Sequence, residues 1–115
     1  MLVSRDFKFD AAHYLPKYHG KCEKLHGHTY KLRVTLEGEP DSEGMVFDFA
    51  EIKRVVAERV LEELDHSSLN DVMENPSAEN IAMLVWERLF GEFGRARLHE
   101  VRVWETEGCF VSYLG

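Results

Sequence analysis

The hydrophobic and polar positions along the chain predict four strands and two helices in the order ββααββ. Apolar residues alternate with polar ones from Leu2 to Phe9 and from Thr29 to Glu37, which is the period of a half-buried strand. Two further strands are predicted over residues 98–105 and 109–114, joined by a short turn that contains Gly108. An antiparallel four-stranded sheet with both helices on one face would bury these apolar positions. The predicted fold class is therefore α+β.

The two helices are predicted from capping signals and from apolar residues at helical spacing. Asp48 is a favourable N-cap, and Glu51 three residues later completes a capping-box pattern, so the first helix runs to about Leu64. Pro76 or Ser77 opens the second helix, and the glycines that follow it end it. The predicted buried residues are Phe49, Ile52, Val56 and Val60 in the first helix and Ile81, Ala82, Val85 and Leu89 in the second, with Trp86 and Phe90 widening the second stripe.

Length, charge and cysteine content narrow the class of protein. A chain of 115 residues predicts one domain, residues 1–115, with one core. A formal net charge of −7 argues against generic binding of nucleic acid. No apolar run approaches membrane-spanning length and no signal peptide is evident, so we expect neither membrane insertion nor export. The two cysteines, Cys22 and Cys109, suggest no disulfide framework, and a cytoplasmic location fits best.

The richest group of metal-binding side chains lies near the N-terminal end of the chain. His26 and His28 are two residues apart, and in an extended segment this spacing points both imidazoles to the same face. With His13 they would form a three-histidine set, which is typical of a catalytic zinc site with an exchangeable fourth position. One alternative is that the histidines are scattered over the surface. The other is a closed structural site in which Cys22 is the fourth ligand.

Two other candidates are ambiguous when each is considered alone. Asp65 and His66 follow the first helix, and the dipole of a helix stabilises a protonated histidine at its C-terminal end. The functional alternative is that His66 is an acid–base residue oriented by its neighbour Asp65. Glu105 shares a strand face with Val101 and Val103. A carboxylate in such a desolvated place needs a hydrogen-bonding partner. The simpler alternative is a strand-end glutamate whose predicted face is wrong by one residue.

Several stretches of the chain together resemble the 6-pyruvoyl-tetrahydropterin synthase / 6-carboxytetrahydropterin synthase family. The resemblance covers nearly the whole chain in order, and the set is specific although each piece alone is weak. The stretches are Phe9-Asp10-Ala11-Ala12-His13, Cys22-x-x-x-His26-Gly27-His28, Leu64-Asp65-His66-x-x-Leu69-Asn70 and Glu105-Thr106, with Val46-Phe47-Asp48-Phe49 and Asn75-Pro76-Ser77-Ala78-Glu79-Asn80 as further similar segments.

This resemblance implies a tunnelling fold (T-fold), in which sheets of several subunits join into a β-barrel with sites at the subunit interfaces. It implies Zn²⁺ as cofactor, and it favours the open site over the closed one. It also favours the acid–base role of the Asp-His pair. The implied roles are zinc ligation by His13, His26 and His28, proton abstraction by Cys22, acid–base catalysis by Asp65 with His66, and pterin binding by Glu105 and Thr106 with help from Ser77 and Glu79.

The implied activity is that of a lyase acting on 7,8-dihydroneopterin triphosphate. The compact chain, with its Cys-x-x-x-His-Gly-His motif, looks more similar to the bacterial carboxy type. That type forms 6-carboxy-5,6,7,8-tetrahydropterin, releases acetaldehyde and triphosphate, and serves queuosine and deazapurine synthesis. The pyruvoyl type of biopterin synthesis is the first alternative. A non-catalytic zinc-binding module is the alternative from another class.

The strand edges of the predicted sheet bear on the oligomeric state. Both ends of a small open sheet leave backbone groups unpaired, and proteins usually cover or pair such edges. Together with the resemblance, this predicts a stable homo-oligomer, namely a hexamer built as a dimer of trimers. The expected partner is otherwise a small pterin triphosphate, and we expect neither nucleic acid nor a membrane.

Overall fold

The computed structural model describes residues 1–115 and contains one mixed sheet with helices on one of its faces. The strands are β1 (Leu2–His13), β2 (His26–Glu37), β3 (Ser67–Ser68), β4 (Arg97–Thr106) and β5 (Cys109–Tyr113). The helices are α1 (Phe49–Val56), a π-helical turn (Ala57–Leu61), α2 (Glu62–Leu64), a 3₁₀ turn (Leu69–Asp71) and α3 (Ala78–Leu89). None of the helices has the length and apolar character needed to cross a membrane.

The sheet has five strands in the order β3-β1-β2-β4-β5, one more than the sequence predicts. The four predicted strands are present as β1, β2, β4 and β5, and each pairs with its neighbour in antiparallel fashion. The additional strand β3 has two residues and pairs parallel to β1 beside Ala11 and Ala12. Two serines show no alternation, and the pairing depends on a distant contact in which the His66 N–H donates to the Asp10 carbonyl over 2.6 Å. The prediction of a purely antiparallel four-stranded sheet is corrected on this point.

The first two strands are longer than predicted, and the additional residues include the histidines. β1 continues to His13, and β2 begins at His26, so the two residues form the last pair of the ladder. The connection between the two strands, residues 14–25, is shorter as a result. The ends of β1 and β2 are extended because the backbone groups of each strand are hydrogen-bonded to those of the other.

The hydrophobic core lies between the sheet and the helices. The sheet contributes Leu32, Val34, Val101 and Val103, which are fully buried and alternate with more exposed residues. Helix α1, the π-helical turn and α2 run on from one another over residues 49–64, as predicted. Their buried residues are Ile52, Val55, Val56, Val60 and Leu64, and those of α3 are Ile81, Ala82, Val85 and Leu89.

Two aromatic residues predicted to belong to these stripes lie outside the core. Phe49 is 53% exposed and Phe90 is 67% exposed. Phe49 is the first residue of α1, next to the N-cap Asp48, where a side chain need not face the sheet. Phe90 follows the last residue of α3, and the chain turns away at Gly91, which has a φ of +79°. The stripe predicted from helical spacing therefore fails at the helix ends, where the helix no longer fixes the direction of the side chain.

Candidate metal centre and active site

The paired ends of β1 and β2 bring three histidines to one face of the sheet. His13 pairs with His26, and Ala11 pairs with His28. The three imidazoles share this face with the buried aromatic residues Phe9 and Tyr30, and their metal-binding atoms all lie within 4.8 Å of one another. The histidines at the end of β1 and at the start of β2 thus produce a compact ligand set, as the spacing predicts.

Backbone carbonyls orient two of these rings. Nδ1 of His13 lies 2.7 Å from the carbonyl oxygen of Pro76, and Nδ1 of His26 lies 2.8 Å from that of Lys24. A carbonyl can only accept, so Nδ1 carries a proton in each ring, and in the neutral tautomer this leaves Nε2 with a free lone pair. Such a hydrogen bond is the usual support of a histidine that binds a metal.

The three-histidine cluster fits a bound metal ion. Nε2 of His13 and Nε2 of His28 are buried and have no hydrogen-bonding partner. A buried nitrogen without a partner is costly, and a metal ion would satisfy both atoms at once. Burial also lowers the pKa of His28, against the opposing charge of Glu105, so this imidazole stays neutral and able to bind a metal at neutral pH.

Glu105 lies at the edge of the three-histidine cluster. Its Oε1 is 3.5 Å from Nε2 of His28, and its Oε2 is 3.9 Å from Nε2 of His13. The side chain is 34% exposed, on the face that carries Val101 and Val103. The structure thus places Glu105 on the predicted face, with one side towards the histidines and another open to solvent.

Asp65 and His66 form a second cluster, together with Asp10. Nδ1 of His66 is 3.0 Å from Oδ1 of Asp65, and the Asp10 N–H donates to the same carboxylate over 2.9 Å. That backbone hydrogen bond is the main reason why the pKa of Asp65 lies below its usual value. The His66 side chain is 79% exposed, and its backbone is left-handed with a φ of 57°. The pair is therefore held both by β1 and by the end of α2, where Asp65 is the C-cap and its N–H donates to the Leu61 carbonyl over 2.9 Å.

A shallow depression of about 440 Å³ lies beside the second cluster. Its lining includes Asp10 and His66 together with Thr29, whose hydroxyl donates to the Asp10 carboxylate. Asp10 and Thr29 form a cross-strand pair whose side chains alternate with those of the histidines, so the depression lies on the opposite face of the sheet. A small ligand in this depression would contact the Asp10–Asp65–His66 cluster.

Cys22 lies apart from both clusters. It is exposed in the loop between β1 and β2, and its only polar contact is a 3.6 Å approach of Sγ to the carbonyl of Glu23. Two hydrogen bonds between Glu23 and Leu15 stabilise this loop. The Glu23 N–H donates to the Leu15 carbonyl, and the Glu23 carboxylate accepts from the Leu15 N–H. Sγ is not part of the compact group of histidine ligands. The structure therefore does not form the closed site with Cys22 as fourth ligand.

The remaining predicted site residues lie around α3 and at the end of β4. Ser77 is the N-cap of α3, and its Oγ accepts from the Asn80 N–H over 3.1 Å. Glu79 is exposed in the first turn of that helix. Thr106 is exposed and lines a separate depression of about 580 Å³ beside Trp104. None of the three has a polar side-chain contact with the histidines.

Sequence reasoning misses three contributors to the site. The carbonyls of Pro76 and Lys24 orient the histidine rings, and no side-chain pattern reports a backbone group. Tyr30 fits the apolar face of a strand, yet its ring lies 5.6 Å from that of His28 and 5.8 Å from that of His13. A signal is present in the sequence, because Tyr30 follows His28 by two residues and so shares its strand face.

Fold and site together define an α+β protein with a candidate metal centre at one end of its sheet. The family described as 6-pyruvoyl tetrahydropterin synthase matches residues 2–115. The chain therefore belongs to the 6-pyruvoyl tetrahydropterin synthase family of enzymes. The resemblance drawn from the sequence is confirmed, and so is the prediction that the protein is a lyase.

Individual relatives agree with this assignment. A 6-carboxy-5,6,7,8-tetrahydropterin synthase from Synechocystis sp. is 39% identical, over 98% of this chain and 92% of its own. A dihydroneopterin monophosphate aldolase from Pyrococcus furiosus is 44% identical, over 84% of this chain and 82% of its own. The structure of 6-pyruvoyl tetrahydropterin synthase from Caenorhabditis elegans superposes with a TM-score of 0.86 at 29% identity, covering 100% of this chain and 95% of the other. The predicted T-fold is confirmed.

Proposed function

We propose that this protein is a zinc-dependent synthase that converts 7,8-dihydroneopterin triphosphate to 6-carboxy-5,6,7,8-tetrahydropterin, with release of acetaldehyde and triphosphate. The observation that carries the proposal is the convergence of the three histidines beside Glu105, with two buried Nε2 atoms left without partners. The similarity to the Synechocystis 6-carboxy-5,6,7,8-tetrahydropterin synthase supports this choice of product. The pathway would be that of queuosine or deazapurine synthesis in the cytoplasm.

His13, His26 and His28 would hold the zinc ion through their Nε2 atoms. When bound, zinc supplies Lewis-acid polarisation of the hydroxyl groups on the substrate side chain. Neutral imidazoles oriented by the carbonyls of Pro76 and Lys24 suit this role, because their free lone pairs are directed by hydrogen bonds already present in the protein. Three protein ligands also leave a position for substrate, unlike a closed structural site.

The proton transfers are assigned to Cys22 and to the Asp65–His66 pair. Sγ of Cys22, as the thiolate, would accept a proton from the substrate side chain. Nδ1 of His66 faces Asp65, which leaves Nε2 to return a proton. The ionised Asp65 would orient this imidazole and stabilise its charged form. Because Cys22 and His66 lie in different parts of the chain surface, we propose that neighbouring subunits complete the site.

A second candidate function is suggested by the relative from Pyrococcus furiosus. That protein is a dihydroneopterin monophosphate aldolase and is 44% identical to this chain. An aldolase would cleave the side chain without reducing the ring, whereas the carboxy synthase reduces the ring internally. The pyruvoyl synthase is a third possibility, and it would retain all three side-chain carbons. Detection of both acetaldehyde and triphosphate after incubation with dihydroneopterin triphosphate would identify the carboxy synthase, and triphosphate alone would identify the pyruvoyl type.

Replacing Glu105 by glutamine should weaken pterin binding by roughly 1.5–3 kcal/mol, about one to two orders of magnitude. Glutamine keeps the size and one acceptor oxygen, but it loses the charge and the second acceptor that would pair with the guanidine-like edge of the pterin. Titration of zinc-loaded protein with 7,8-dihydroneopterin measures the change. Glu107→Gln is the matched control, because Glu107 is exposed in the turn after β4. Equal affinity in the two variants would place the anchor elsewhere.

The free strand edges predict a stable homo-oligomer, which we propose to be a hexamer. β5 ends one side of the sheet, and on the other side β1 is paired only beside Ala11 and Ala12. Most of both edges is therefore available to a second copy. Leu2 and Phe110, on these two strands, are 50% and 51% exposed. Sedimentation equilibrium should give the mass of six chains, and a monomer at micromolar concentration would contradict the assembly.

A further inference from the structure

The hydroxyl of Tyr30 is a buried hydrogen-bonding group for which the protein supplies no partner. Tyr30 is 0% exposed, and its hydroxyl is one of only three buried side-chain polar atoms without a hydrogen bond. The other two are Nε2 of His13 and Nε2 of His28. All three belong to rings that contact one another on the same sheet face. The unsatisfied polar atoms of the chain are thus concentrated at one place.

The rest of the chain shows that this lack of a partner is local. Thr35, the other buried hydroxyl residue of β2, is 4% exposed and exchanges a 2.7 Å hydrogen bond with Ser4 on β1. The Tyr30 ring is held in its position, since it stacks on Phe9 at a centroid distance of 5.0 Å and an angle of 10°. Leaving a buried hydroxyl unsatisfied costs the protein stability. A phenylalanine would avoid that cost and keep the stacking.

We infer that the Tyr30 hydroxyl donates a hydrogen bond to a side-chain oxygen of the pterin substrate, and so positions the side chain beside the three histidines. A metal ion would satisfy the two histidine nitrogens, but the phenol O–H needs a hydrogen-bond acceptor, such as an oxygen atom. The substrate side chain carries such oxygens, and the pterin ring would be bound by Glu105 at the edge of the cluster. The inference rests on the proposed function, because it takes the ligand to be a hydroxylated pterin. It assigns Tyr30 a role in binding, apart from the proton transfers of Cys22 and His66.

Tyr30→Phe separates this role from a structural one when two probes are compared. The first probe, 7,8-dihydroneopterin, has a hydroxylated side chain, and the second, 7,8-dihydropterin, has none. Calorimetric titration of zinc-loaded Tyr30→Phe should show about tenfold weaker binding of the first probe. Binding of the second probe should be unchanged. Tyr113→Phe is the control, because Tyr113 lies on β5 against Trp86. This variant should bind both probes with the affinity of the unaltered protein.

Zinc affinity and the urea midpoint of unfolding complete the test. Both should be retained in Tyr30→Phe, and the midpoint should not fall, because the variant removes a buried hydroxyl that has no partner in the protein. The inference is overturned if the variant binds both probes normally, if it loses both equally, or if it unfolds at lower urea or loses zinc. If the unaltered protein bound neither of the two probes, that result would instead contradict the proposed function itself.

Discussion

His28→Ala and His26→Ala should each abolish stoichiometric zinc binding and, with it, turnover. Each change removes one of three converging ligand nitrogens, so the two histidines that are left form an incomplete site. Loss of a group that only supports a ligand already lowers metal affinity about 10–100-fold, so loss of a ligand itself should lower it further. Metal analysis after dialysis against a weak chelator measures the effect.

A matched control for the ligand variants is His99→Ala. His99 lies on β4, and its nearest ionic partner is Glu37 at 3.9 Å rather than a residue of the histidine cluster. The His99→Ala variant should keep one zinc ion per chain and full activity. Full zinc occupancy in either His26→Ala or His28→Ala would show that the zinc is bound elsewhere.

Cys22→Ala should lower turnover by about two to four orders of magnitude while zinc content and fold are retained. The reason is that Cys22 is proposed to accept a proton, and its exposed Sγ is not part of the compact ligand set. Single-turnover kinetics and metal analysis of the same sample separate the two properties. Cys109→Ala provides the control, since Cys109 is an exposed cysteine on β5.

The outcome for Cys22→Ala also decides between an open and a closed metal site. An inactive protein that retains its zinc would support the open site. If the variant lost zinc together with activity, Cys22 would be a fourth ligand and the site would be structural. Retained activity would instead assign the proton transfer to another residue.

Most of the fold can be predicted from the sequence because its signals are local. The alternation in β2 assigns Tyr30, Leu32 and Val34 to the buried face, and the N-cap Asp48 marks the start of α1. Strand ends and the additional strand β3 depend on contacts between distant residues, such as the pairing of His13 with His26. No local pattern contains that information.

In the candidate site, too, some features follow from local sequence patterns and others depend on contacts between distant residues. Histidine spacing on a strand is a local property, so the amino-acid sequence alone is enough to propose the ligand set. The position of Asp65 and His66 beside Asp10 depends on a left-handed residue and on backbone hydrogen bonds to β1. Taken alone, this Asp-His pair is ambiguous, and only the combination with the other family motifs favours a functional role. The missing partner of Tyr30 is evident only from the three-dimensional arrangement, because burial alone fits an ordinary core tyrosine.

We propose that the three histidines hold a zinc ion that this protein needs to act on a pterin triphosphate. The most direct test is to incubate zinc-loaded and metal-depleted protein with 7,8-dihydroneopterin triphosphate and to identify the pterin by mass spectrometry. We expect 6-carboxy-5,6,7,8-tetrahydropterin from the zinc-loaded sample and unconverted substrate from the depleted one, with activity restored by added zinc. Unconverted substrate in the zinc-loaded sample, or equal conversion in both samples, would contradict the claim.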